Sequence, residues 1–193
     1  MTTTKAPERL PLTGIDEADR LLAESPLALL IGLALDQQVT VQKAFSGPWE
    51  LRRRLGHLDA SRIAATEPSE LERVFRERPA IHRFPGSMAG KVAALCAVVA
   101  DEYGGDAARI WLEAPDAADL RARLGRLPGF GDMKVRTMVA ILGKRFGLDL
   151  PGMAGAMPAH PTLGDVDSPE SLAAYQASKR AYKAQRRAQG EGA

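Results

Sequence analysis

One cysteine in 193 residues is the first constraint. Cys96 has no possible partner within the chain, so an internal disulfide is excluded. So is an iron–sulfur cluster held in the usual way by four thiolates. Cys96 stands in the apolar run Val92-Ala93-Ala94-Leu95-Cys96-Ala97-Val98-Val99, where a small core thiol is expected rather than a reactive one. Histidine is scarce as well, and nothing near His82 completes a ligand set, so neither a metal nor any other cofactor is expected. Aromatics make up 5% of the chain, so a stacking surface would have few side chains to draw on, Trp49 and Trp111 first. Charge of one sign is lacking too. A net charge of +2 and a pI near 8.8 do not by themselves argue for nucleic acid, and any such affinity must come from local clustering. No apolar run reaches membrane-spanning length and no signal peptide opens the chain, so a cytoplasmic protein without a membrane partner is expected. No long-period repeat is evident. β-Branched runs are few while alanine, leucine and arginine abound, and an all-α fold follows.

What is there is organised around residues 120 to 147, LRARLGRLPGFGDMKVRTMVAILGKRFG. Leu120, Leu124 and Leu127 recur at helical spacing, and Val135, Met138, Val139 and Leu142 line one face of a second helix. Between them Pro128 cannot continue the first helix, and Gly129 and Gly131 are expected to take the positive φ angles of a tight turn. The amides after Gly131 open a helix without intrahelical partners and carry the positive end of its dipole, which suits a phosphate oxygen. Lys134, one turn in, is placed to add charge. The pattern reads as a helix-hairpin-helix; a plain interhelical turn is the simpler alternative.

The rest of the chain falls into three parts. Residues 1–14 carry threonine and proline without a period and are expected to form a loose tail. Residues 15–150 form the helical domain. Ile15, Ala18, Leu21 and Leu22 share one face of a short helix, then Ser25 as N-cap and Pro26 open Leu27 to Leu35, apolar almost all round and so central to the core. That helix stops at Asp36-Gln37-Gln38. A helix over 41–45, a turn at Phe45-Ser46-Gly47-Pro48-Trp49 and a helix over 50–55 follow. Arg52, Arg53 and Arg54 point around that last helix, as a solvated face or as phosphate contacts. Two short helices come next, 58–65 and 69–78, the second with Ser69 as N-cap. The loop Ile81 to Ser87 precedes a long helix over 88–103, and Asp116 caps the first hairpin helix. Residues 151–193 are a loop and a C-terminal helix capped by Ser168, whose stretch Lys179 to Arg187 contains no acid: a solvated tail or a phosphate contact.

Leu127-Pro128-Gly129-Phe130-Gly131 resembles the L-P-G-V/I-G hairpin of the helix-hairpin-helix (HhH-GPD) DNA glycosylase superfamily, the group of endonuclease III, and the order of elements is similar from about residue 15 to 147. The resemblance implies an all-α bundle split by a DNA-binding cleft. It implies a monomer that acts in base excision repair on double-stranded DNA containing a lesion, flips a damaged or mismatched base and cleaves its N-glycosidic bond. In that group the core helix ends in a glutamine that enters the duplex, which falls on Gln38 beside Gln37. A loop residue wedges into the gap left by the base, which falls on Phe84, flanked by His82 and Arg83. The hairpin holds phosphate, here through Pro128, Gly129, Gly131 and Lys134.

The chain departs from the family at the chemistry. The family's catalytic aspartate lies some twenty residues past the last hairpin glycine, where this chain has Pro151. Asp149, which follows the hairpin helix as that aspartate does, is the preferred catalytic carboxylate. Asp36 at the buried helix end is the second candidate and Asp165 a more distant one. Bifunctional members carry a lysine two residues after the last hairpin glycine. Here that position is Met133, with Lys134 about 100° further round the helix, so a monofunctional hydrolase is expected. A non-catalytic helix-hairpin-helix DNA-binding module and a helical protein-interaction domain are the alternatives.

Overall fold

The computed structural model describes residues 6–189; residues 1–5 of the expected tail and 190–193 of the expected C-terminal segment lie outside them. The helices are α1 (Asp16–Glu24), α2 (Pro26–Leu35), α3 (Val41–Leu55), α4 (Ala60–Ala64), α5 (Pro68–Arg76), α6 (Pro85–Tyr103), α7 (Arg109–Leu112), α8 (Ala117–Gly125), α9 (Asp132–Phe146), α10 (Met153–Ala156) and α11 (Pro169–Ala188), with a 3-10 turn at Leu163–Asp165. No strand occurs among the described residues, so the fold is an all-α bundle.

Helix α2 is its axis. Ser25 Oγ accepts from the Ala28 amide at its start, and every residue from Leu27 to Leu35 is buried. A helix without a polar face is stable only when wrapped, and α1, α3, α6 and α9 wrap it. Two glycines let α3 come close. A Cβ on Gly32 would stand 2.7 Å from Phe45, and one on Gly47 would stand 2.4 Å from Leu35.

That close packing explains one departure from the sequence reading. The turn expected at 45–49 is absent, and α3 runs unbroken through Pro48. Proline inside a helix removes a hydrogen bond and costs ~3 kcal/mol. Gly47 and Pro48 are both buried, Gly47 directly against Leu35 of α2, and Ser46 Oγ donates to the Lys43 carbonyl in the same turn. The start of α5 also differs: its N-cap is Glu67, with Pro68 rather than Ser69 opening the helix, as proline's fixed φ favours. Helix α6 begins at Pro85, three residues before the expected Met88, for the same reason.

The N-terminal stretch is tied down from Leu10 onward, contrary to the loose tail expected there. Leu10 and Leu12 are in the core, and the buried Asp19 carboxylate accepts from the Leu12 amide, the Thr13 amide and the Thr13 hydroxyl. A carboxylate taken out of water needs that many donors to be tolerated. At the other end the 3-10 turn lies directly on α9, where a Cβ on Gly164 would stand 2.6 Å from the Ala140 backbone.

Candidate functional site

Several polar side chains converge on the carboxyl end of α2. A helix end leaves carbonyls without intrahelical donors, and here distant side chains supply them. Lys134 Nζ, from the first turn of α9, donates to the Ala34 carbonyl at 2.8 Å. Gln37 Nε2 donates to the same oxygen at 3.1 Å. His82 Nε2 lies 3.1 Å from the Leu35 carbonyl and 3.1 Å from the Gln37 carbonyl. Lys91 Nζ of α6 donates to Gln37 Oε1 at 3.3 Å.

Asp36, half-buried, is the C-cap of α2 beside these donors. Burial raises its carboxyl pKa, and the charges of Lys179 and then Lys134 oppose the rise. Burial acts on Lys134 in the other sense, bringing its ammonium down to about 8, with Asp36 opposing and Lys91 reinforcing the drop. Lys134 therefore does not reach outward to add charge at the turn, as the sequence suggested. It is turned in under the end of α2, while Met133, the preceding residue, is 67% exposed. The sequence argument kept Lys134 as a phosphate contact and discounted it only as an amine nucleophile, because it stands one residue past the family's lysine; of the pair, Lys134 is the one whose charge acts on Asp36.

Gln38 follows with φ +54, the only non-glycine residue with positive φ among those described, and its side chain is exposed. A left-handed glutamine costs about 1 kcal/mol or more and persists where its surroundings dictate it. Both flanks are held here, by His82 on the Gln37 carbonyl and by Thr40 Oγ1 accepting the Lys43 amide at the start of α3.

The loop carrying Phe84 is pinned along its length. Arg54, with its side chain 8% exposed, donates to the Val74, Glu77 and Pro79 carbonyls, and Lys43 Nζ donates to that of Ala80. Of the expected arginine row, then, Arg54 is structural, and Arg53 lies over Trp49 at 4.8 Å. His82 Nδ1 accepts the Phe84 amide at 3.1 Å, which leaves the ring proton on Nε2 for the two carbonyls. Phe84 itself is 41% exposed beneath the Arg83 guanidinium, and does not plug the core.

The hairpin turn holds one surprise. Gly129 has φ +85, but Gly131 has φ −88 and serves as N-cap of α9 without a side-chain cap. Its surroundings are open: a Cβ there would meet nothing within 4 Å, whereas one on Gly129 would stand 2.7 Å from the Lys91 stem. Neither torsion nor packing therefore demands glycine at 131. Pro128 is half-buried in the turn. Asp149 is exposed, just past the C-cap Gly147, at the opposite end of α9 from Lys134. Asp165 caps the 3-10 turn and pairs with Lys144 at 2.5 Å.

Two concavities lie elsewhere. One, of about 410 Å³, runs between α8 and α9 past Arg121, Phe130 and Asp132; the other, of about 200 Å³, is lined by Trp111 and Phe146. Neither includes Asp36, Gln37 or Lys134. No cluster of three or more His, Cys, Asp or Glu with metal-binding proximity occurs among the described residues. Cys96 is buried, and burial pushes its thiol up to about 12. No helix among the described residues is long and apolar enough to cross a membrane. No protein-family model, curated protein or solved structure matches the chain.

Sequence reasoning placed His82 in the wedge loop but saw no partner for it, and it missed Lys91, which carries no motif. The available signal for Lys91 was position, on the helix that follows that loop.

Proposed function

We propose that this protein is a base-excision DNA glycosylase of the helix-hairpin-helix type. The observation that carries the reading is the convergence at the end of α2. Residues separated by up to 100 positions, Ala34 and Lys134, meet there, and Gln37, the Phe84 loop and the hairpin helix converge on that end through direct hydrogen bonds. In this reading the open Gly131 amide and those after it hold a backbone phosphate. Gln38 and Phe84 fill the space left by an everted nucleotide, each presented by backbone that is already fixed. Asp36 is the carboxylate that steadies the cationic sugar and orients water, in preference to Asp149. Lys179 and then Lys134 oppose the effect of burial on Asp36.

A second reading has its own support. The concavities lie away from Asp36, and Asp149 stands alone in solvent. Both features suit a DNA-binding module without catalysis. Excision assays on duplexes carrying uracil, alkylated, oxidised and mismatched bases separate the two. Release of any base supports the glycosylase; binding without release supports the module; no duplex binding removes both.

A further inference from the structure

Helix α11 is built in two halves that share one direction. Its first half packs on the body through Leu172, Tyr175 and Gln176, with Gln176 and Gln42 of α3 exchanging hydrogen bonds at 2.8 and 3.3 Å. From residue 177 every described position is exposed, so the second half has run past the body. At about 100° per residue, Lys179, Arg180, Lys183, Arg186 and Arg187 all fall within a sector of roughly 120°. Leu172, Tyr175 and Gln176 fall on the same side. The basic residues therefore continue the inner face. The outer face carries Ala173, Ala174, Ala177, Ala181 and Ala184.

A helix that merely needs solvation would spread its charges around its free side. This one puts alanine outward and every cation of its second half toward the side from which α3 and the α2 terminus are reached. Its lone acid, Glu170, lies in the first turn. Lys179 marks the transition: its ammonium lies over Tyr175 at 5.7 Å, and its charge acts on Asp36. At 20 residues and about 1.5 Å each, the helix is about 30 Å long, and its free half spans several phosphate spacings.

We propose that the second half of α11 is a sequence-independent contact to the phosphate backbone of double-stranded DNA, flanking the nucleotide held at the α2 terminus. The proposal rests on the reading of that terminus as DNA-facing. The helix would act as a rail beside the site, adding affinity that falls steeply with salt and leaving base choice to the centre.

The test is fluorescence anisotropy of the full chain on an undamaged duplex over a series of KCl concentrations. Arg180→Gln, Lys183→Gln and Arg187→Gln are combined in one variant, and Arg180→Lys with Arg187→Lys in a second. All three positions are exposed, and far-UV circular dichroism checks that both variants fold. The first variant is expected to lower the slope of log Kd against log salt by about 2 to 3, and the second to retain the wild-type slope. An unchanged slope in the first variant overturns the proposal, as does loss of binding to phosphatidylserine vesicles with the duplex slope intact, which makes the helix a membrane contact. A wild-type chain that binds no duplex overturns the reading of the site as well, and so is distinguished from failure of the rail alone.

Discussion

His82 Nε2 sits 3.1 Å from the carbonyl oxygen of Gln37, 45 residues earlier in the chain. With Nδ1 accepting from Phe84, one neutral imidazole joins the glutamine turn to the aromatic loop. The two elements proposed to enter a duplex are thus one unit, and the residue that unites them is itself buried, with 1% exposure.

Replacing that ring should loosen both elements. His82→Leu leaves the Gln37 and Leu35 carbonyls and the Phe84 amide without their side-chain partner, at a cost of about 2 to 4 kcal/mol. The pH dependence has a definite sign. Burial foremost, then the charges of Lys43 and Arg83, lower the folded-state pKa of His82 below its ordinary 6.5. As pH falls through that window the unfolded chain takes up a proton that the folded chain refuses, so stability declines. Urea midpoints at pH 7.5 and pH 5 should fall further apart in the wild type than in His82→Leu. Equal separations would mean that the ring is not held neutral.

The two hairpin glycines should behave differently. Gly129→Ala meets a left-handed φ and the Lys91 stem, and should cost about 1 to 2 kcal/mol in a thermal melt. Gly131→Ala should stay within about 0.5 kcal/mol of wild type, because its φ is ordinary and its Cβ meets nothing within 4 Å. Gly131→Asp should keep the fold and weaken duplex binding regardless of sequence, since it places an anion where phosphate would sit. Full affinity in that variant removes the hairpin from the interface.

Lys134 offers a stability measurement independent of DNA. Its folded pKa of about 8 lies below the unfolded 10.5, with burial the main cause. Below about pH 8 both states hold the proton, and this group adds no pH dependence. Between about 8 and 10.5 the unfolded chain alone holds it, so stability rises with pH, by at most about 3 kcal/mol and by less for an amine only partly buried. Lys134→Met should lose that alkaline gain. The Ala34 carbonyl keeps Gln37 as donor in the variant, so the fold is expected to survive. An identical alkaline profile in wild type and variant would show that the amine is not desolvated.

The fold was readable where one residue type dominates locally. The unbroken apolar face of Leu27 to Leu35 announced the central helix, and Ser25-Pro26, Asp116 and Ser168 marked helix starts that the structure has. It was unreadable where tertiary packing overrides local preference: Gly47-Pro48 reads as a turn until the fit of Leu35 against Gly47 is known. The site divides in the same way. Turn composition singled out the hairpin, and the family resemblance alone drew attention to Gln38 and Phe84. The direction of Lys134 and the bonds of His82 and Lys91 depend on partners 45 to 100 residues away, and no local pattern encodes them.

The chemistry of the proposed enzyme turns on two carboxylates and one amine. Asp149 follows the hairpin helix as sequence comparison would have it, yet it is exposed and lies at the far end of α9 from Lys134. Asp36 is half-buried at the end of α2, where burial raises its carboxyl pKa and the charges of Lys179 and then Lys134 oppose the rise. Asp36→Asn should therefore lower the excision rate by about 10²- to 10³-fold with duplex affinity kept, and Asp149→Asn should be only mildly impaired. Single-turnover rates at saturating enzyme decide between them; the reverse order would return the role to Asp149, and full activity in both would send the search to Asp165. The Lys134 amine, its pKa lowered to about 8 by burial, raises the question of a covalent imine with the sugar's first carbon. Its hydrogen bond to the Ala34 carbonyl argues for water as the nucleophile instead. The product should then be an intact abasic strand, nicked only by added alkali or a second enzyme. Lys134→Met should move the acid limb of the rate profile upward as Asp36 loses a neighbouring cation, rather than abolish turnover. Borohydride trapping of a protein–DNA adduct that disappears in Lys134→Met would overturn this and make Lys134 the nucleophile.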